Sequence, residues 1–284
     1  MRLVRWIPLL VAATGLAACN DSGPAQLRVM HASPDAPEVD VLAGNTRVAS
    51  GLDYGEATAQ IELDAGVVTL AVQGLLPGGT TATVIGPVDV DLEKDTLYTV
   101  LAVGDVANIE PLVITQPRQR VPHDSTRVRV VHAAPDAPAV DVYLTGPDAN
   151  LMASAPVGSF AFKEAIGPVV VSAGDYRVRV TLAGDPGTIV FDSGTVPLAG
   201  GADLVIAAIE NTDTGPSPIQ LVVSDGTLGA RVYSTGTPAD LRVVHASADA
   251  PPVDVVANDN FSTPLVSDLA FPQATGFVSV PAAT

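Results

Sequence analysis

Three of the four histidines in this 284-residue chain carry the same pair of carboxylates at the same distances. His31 is followed by Asp35 and Asp40, His132 by Asp136 and Asp141, and His245 by Asp249 and Asp254. Imidazole with carboxylates could hold a transition metal, and carboxylates with turn carbonyls could hold calcium. The same groups could serve a hydrolase as base and acid. A plainer role suits the local sequence better. Asp in a Pro-Asp-Ala-Pro turn accepts backbone N–H bonds, and the histidine, on the Leu27 and Val29 face, packs at a sheet edge with one ring nitrogen bonded to that Asp. If the strands on either side of Pro34 pair as a hairpin, Arg28 and Asp40 on the opposite face form a cross-strand ion pair, contributing at most about 1 kcal/mol.

No other segment offers a sharper site. Asp89-Val90-Asp91-Leu92-Glu93-Lys94-Asp95 alternates acids as a calcium loop does, but Lys94 stands where an EF-hand loop needs glycine, so an exposed strand edge and turn is expected. The chain holds no G-x-S-x-G, H-E-x-x-H, Walker or dinucleotide-binding string, so neither a catalytic residue nor a cofactor is assigned. Only 4% of residues are aromatic, which supplies a sugar-stacking platform poorly, and Tyr54, Tyr98, Tyr143 and Tyr176 lie in or beside apparent strands as core residues do. With 31 acidic and 14 basic residues the net charge is −17, which excludes a basic nucleic-acid face.

The elements that position the histidines are strands. LRVMHASPDAPEVDV begins at Leu27, VRVVHAAPDAPAVDV at Val128 and LRVVHASADAPPVDV at Leu241, so the histidines are 101 and 113 residues apart. That period is the size of a domain, and each copy should have its own core. Within a copy the apolar residues alternate with period two, turn signals such as Asp64-Ala65-Gly66 and Ser172-Ala173-Gly174-Asp175 interrupt them, and Val and Thr dominate. About seven short strands in about 100 residues predict an all-β chain of tandem immunoglobulin-like antiparallel β-sandwich domains. The boundaries read as repeat 1 over 27–115, a linker over 116–126, repeat 2 over 127–224, a linker over 225–239 and a partial repeat 3 over 240–284. Short linkers predict units strung as beads with limited swing. The third copy is incomplete, which is expected if the sequence is a fragment of a longer protein or if a partner supplies the later strands.

The one cysteine has its own logic. Arg2 and Arg5 give a basic start, Trp6 to Ala18 is apolar, and Leu16-Ala17-Ala18-Cys19 closes the segment. This resembles the lipobox of bacterial lipoproteins, which implies cleavage before Cys19 and acylation of its thiol and new amino terminus. Residues 1–18 are then a signal peptide and 19–26 a tether, and three acyl chains exceed what stable membrane anchoring requires. The repeated His-Ala-x-x-Asp-Ala-Pro-x-x-Asp-Val string, with the Leu97-Tyr98-Thr99-Val100-Leu101-Ala102 strand, resembles the bacterial domain of unknown function family numbered 4397. Departures are Ala248 where the other copies have Pro34 and Pro135, and Pro252 where they have Glu38 and Ala139. The resemblance implies β-sandwich repeats on exported, often lipid-anchored proteins, with no assigned activity. Together these features predict a non-catalytic, lipid-anchored protein of the cell envelope, facing periplasm or exterior. Its expected partners are a membrane, through the lipid, and an envelope or extracellular protein or polysaccharide.

Overall fold

A computed structural model describes residues 23–227 and 229–280, so the leader and Cys19 lie outside the described residues. Among them no helix is long and apolar enough to cross a membrane. The first repeat contains β1 (Ala25–Ala32), β2 (Val39–Ala43), β3 (Thr46–Leu52), β4 (Ile61–Leu63), β5 (Gly66–Leu76), β6 (Thr80–Leu92), β7 (Thr96–Val103) and β8 (Glu110–Pro117). They form two sheets, ordered β4-β1-β7-β8 and β3-β2-β5-β6. The second repeat has β9 (Ser125–His132), β10 (Val140–Thr145), β11 (Gly158–Phe160), β12 (Ala165–Ser172), β13 (Gly174–Leu182), β14 (Asp185–Leu198), β15 (Asp203–Glu210), β16 (Ile219–Ser224) and β17 (Gly229–Val232). Its sheets are ordered β12-β9-β15-β16-β17 and β11-β10-β13-β14. The chain is all-β, and each of these repeats is a β-sandwich. Most pairs are antiparallel, but β1 runs parallel to β7 and β9 parallel to β15.

The period-two pattern explains the two layers. Leu27, Val29, Val39, Val41, Val72 and Tyr98 fill the first sandwich, while Val128, Val140, Val142, Val180, Phe191 and Leu221 fill the second. Gly167 takes φ +100° where β12 slips register against β9, and a Cβ there would stand 2.7 Å from the Val128 carbonyl oxygen, so only glycine fits. The Asp89 to Asp95 segment is an exposed edge strand and turn, as its sequence suggests. Tyr54, Tyr98 and Tyr143 are buried, and Tyr176 is partly so.

Three expectations are corrected. The string around Pro34 is not a hairpin: β1 and β2 lie in different sheets, so the turn carries the chain across the sandwich. Arg28 therefore never meets Asp40, whose carboxylate pairs instead with Arg47 at 3.0 Å. The first two repeats are also not separate beads. Every residue of β1 is buried, with Leu27 and Val29 facing their own sandwich and Met30 and Ala32 facing repeat 2. β15 is built likewise, with Leu204, Ile206 and Ala208 inward and Val205, Ala207 and Ile209 toward repeat 1. The shared layer also takes in Leu101, Val103, Ile114, Val131, Ala133 and Val222. Alternation along these strands marks two hydrophobic cores rather than one core and water.

In the third repeat β18 (Ala239–Leu241) pairs with β21 (Val278–Val280), and β19 (Val253–Val255) with β20 (Val266–Leu269). These pairs correspond to β1 with β4 and β2 with β3 of the first repeat.

Candidate functional site

Each repeat histidine ends or follows the first strand of its unit and is buried. Its Nε2 lies against a proline carbonyl oxygen six residues on: His31 to Pro37 at 3.0 Å, His132 to Pro138 at 3.1 Å and His245 to Pro251 at 3.2 Å. A carbonyl only accepts, so Nε2 carries the proton and donates, which leaves Nδ1 as an acceptor. In the first repeat the Ser33 N–H donates to Nδ1 at 3.3 Å. The imidazole thus bridges the turn that passes the chain from one sheet to the other.

The aspartates do not join it. Asp35, Asp136 and Asp249 are exposed, and Asp35 Oδ1 accepts the Val106 N–H at 2.7 Å rather than a bond from His31. The Asp136 N–H donates to Glu210 Oε1 at 3.0 Å. The second carboxylates each accept a backbone N–H from a residue in the left-handed region. Asp40 takes Gly51 at 3.0 Å, Asp141 takes Gly184 at 2.8 Å together with the Ser159 hydroxyl, and Asp254 takes Asp268 at 2.7 Å. They hold strand irregularities in place, since an N–H without a ladder partner needs another acceptor. Among the described residues no group of three or more His, Cys, Asp or Glu side chains could hold a metal ion.

The histidine does have a side-chain neighbour that the spacing did not reveal. The Tyr54 ring stands edge-on to His31 at 6.1 Å, Phe162 to His132 at 6.4 Å and Phe271 to His245 at 6.3 Å. The backbone fixes this loop as well. The His31, His132 and His245 N–H groups donate to the carbonyls of Glu56, Glu164 and Gln273. A signal exists in the strings LDYGEAT, FAFKEAI and LAFPQAT, which align on that aromatic.

Burial holds the His31 pKa below its ordinary value, against the Pro37 carbonyl and the charges of Asp53 and Glu56, which raise it. The folded state then prefers neutral imidazole. Stability from this group is complete above the unfolded pKa of about 6.5 and is lost as pH falls from there through the lowered folded value. We expect His31→Gln to flatten the pH dependence of the urea midpoint between pH 7.5 and 5. An unchanged slope in that variant would contradict the assignment.

The aromatic loops clasp the two repeats reciprocally. From repeat 1, the Tyr54 hydroxyl donates to the Glu210 carbonyl at 2.8 Å, the Gln60 N–H to the Gly226 carbonyl at 2.8 Å, and Arg28 Nη1 to the Ser224 carbonyl at 2.9 Å. From repeat 2, Arg129 donates to Gln116 at 3.3 Å, Lys163 pairs with Glu110, and Phe162 packs on the shared layer. Arg231 of β17, within the segment read as a linker, donates to the Tyr54 carbonyl. Burial lowers the Arg28 pKa to about 10, while Asp203 and Asp225 raise it. The cavity of about 60 Å³ inside repeat 1 is lined by apolar side chains such as Leu27, Val41, Ile85 and Val90, which suits packing rather than polar recognition.

A family model described as a domain of unknown function, DUF4397, matches residues 25–143 and 239–284. No curated protein matches the chain in sequence. Among solved structures, a candidate adhesin from Bacteroides ovatus is similar at 12% identity with a TM-score of 0.21, covering 74% of this chain and 96% of that one.

Proposed function

Because the chain belongs to the DUF4397 family, and because its repeated string builds a docking face, we propose that it is a non-catalytic interaction protein of the bacterial envelope. Lipid on Cys19 anchors it to a membrane, and its sandwich repeats are spacers and docking modules. One observation carries this reading. The His and both Asp of the string are engaged with turns and backbone, or exposed, while the loop aromatic that the histidine packs against sits at the contact between repeats. Chemistry would need those polar groups to converge on one reactive centre. Docking needs a rigid apolar anchor with a satisfied polar rim, and Tyr54 with its hydroxyl on Glu210 has that form. Two packed sandwiches also make a stiffer spacer than two beads would. The acidic surface resists nonspecific association, so partners at the envelope, protein or polysaccharide, are selected by the docking face.

The anchor is tested by replacement. Cys19→Ser should abolish incorporation of labelled palmitate and move the protein from the membrane to the soluble fraction. Full retention on membranes with the label still present would refute it. Capture of partners from the native envelope by the tethered chain tests the docking role, and a chain that retains no envelope protein or polysaccharide would refute it.

A further inference from the structure

Basic residues are unevenly placed in this acidic chain. Four of its 14, Arg118, Arg120, Arg127 and Arg129, fall at the connection between the first two repeats. Three of them border a cleft of about 250 Å³, together with His123 and with Gln26 and Gln60 of repeat 1. Arg127 is neutralised by Asp203, which it holds through Nε at 2.9 Å and Nη2 at 2.5 Å. Arg118 and Arg120 are exposed, and among the described residues neither pairs with a carboxylate. A guanidinium only donates, so Arg120 Nη2, 3.0 Å from His123 Nε2, donates to an uncharged imidazole nitrogen. Two positive charges are left at the cleft without a counter-charge.

The place of the cleft adds to its charge. The Asp95 N–H donates to the Pro24 carbonyl at 3.3 Å and the Arg118 N–H to the Asp95 carbonyl at 2.7 Å, so the chain enters repeat 1 beside Arg118. Only residues 20–22 separate Cys19 from Gly23, and four extended steps span at most about 14 Å. The third repeat begins at the opposite end. β15 starts at Asp203, on the cleft, and ends at Glu210, beyond which Thr212 and Asp213 lie beside Asp240 at the start of repeat 3. The eight residues of β15 set these two ends roughly 23 Å apart, more than two Debye lengths at physiological salt.

We propose that the Arg118 and Arg120 cleft binds the phosphate of anionic phospholipid headgroups in the membrane that holds Cys19, so that the paired sandwiches stand on the bilayer by this end. The proposal rests on the lipid-anchor reading. The short reach from Cys19 brings the cleft to the headgroups, and planar guanidinium donors match phosphate oxygens. The acidic remainder of the chain is repelled by the same surface, which turns the arginine end inward. Repeat 3 is then carried away from the membrane.

The test uses the chain from residue 19, with its one cysteine alkylated by a single 14-carbon chain, which alone gives weak and reversible membrane binding. Partitioning is measured on vesicles of phosphatidylcholine with and without phosphatidylglycerol. On the anionic vesicles Arg118→Gln combined with Arg120→Gln should lower the partition coefficient about tenfold, and on the neutral ones it should change nothing. Arg118→Lys combined with Arg120→Lys keeps both charges and should retain most of the binding. Arg242→Gln, in the third repeat, should match the unsubstituted chain. All these side chains are exposed, so thermal melts check that the fold is kept. Unchanged partitioning of the double Gln variant on anionic vesicles, or an equal loss with Arg242→Gln, would overturn the proposal. Inorganic phosphate bound as tightly without vesicles would overturn it too, assigning the cleft to a free anion. Because a synthetic chain replaces the natural lipid, absence of acylation at Cys19 in cells would refute the anchor and leave this measurement standing.

Discussion

Leu101→Asp should divide the unfolding of this protein into two transitions. Leu101 is fully buried on β7 in the layer between the first two sandwiches, among Met30, Val131, Ala207 and Ile209. A carboxylate among those apolar side chains is buried unpaired, because the neighbouring Arg28 is already engaged with Thr99 and Ser224, and this costs roughly 4 kcal/mol or more. Leu101→Ala keeps the layer dry and should cost about 2–5 kcal/mol. In the unsubstituted protein residues 25–232 should melt as one calorimetric unit, because neither sandwich can open without exposing the other's outer sheet. The Asp variant should either separate the repeats, which then melt independently, or unfold the first. Two resolved transitions for repeats 1 and 2 in the unsubstituted chain would show that the layer contributes little coupling.

His132→Ala should cost about 2–4 kcal/mol in the second repeat. The imidazole is buried against Phe160 and Phe162 at 6.1 and 6.4 Å, and its removal leaves both a cavity and an unsatisfied Pro138 carbonyl. His245→Ala should cost less, since the neighbouring Phe271 is already half exposed and a smaller apolar surround is lost. Chelator should leave the melting temperature of the unsubstituted protein unchanged, because the histidine bonds a carbonyl and not an ion. A chelator-induced fall comparable to that of His132→Ala would return the string to metal chemistry.

The sandwiches were legible because period-two alternation survives in strands such as β9 and β13 and three copies of one string fix where each unit begins. What the string does was less legible. His31 and Asp35 are four residues apart, and proximity in sequence suggested a pair, but the Pro34-Asp35 turn aims the carboxylate at the Val106 N–H in the connection between β7 and β8. The partner of the imidazole is a backbone carbonyl, which every residue owns and no composition can signal. Arg28 misled for a related reason. Alternation with Leu27 and Val29 places it outside its own core, and outside normally means water. Here it means a second sandwich, where its guanidinium finds the Ser224 carbonyl 196 positions away. Met30, apolar on that same face, was the available sign that the outer surface is covered.

The parallel pairing of β1 with β7 has a consequence for how the chain acquires its structure. β1 is the first strand of the sandwich to leave a ribosome, yet its parallel partner spans Thr96 to Val103. Its other face waits longer, for Val205 to Val222. For most of synthesis, therefore, the most completely buried strand of the first repeat has no place to go, and closure of such distant pairs is slow. The protein should be most vulnerable to aggregation not when it is old and fraying but while it is half delivered. A holdase that covers Ala25 to Ala32 would act in that interval.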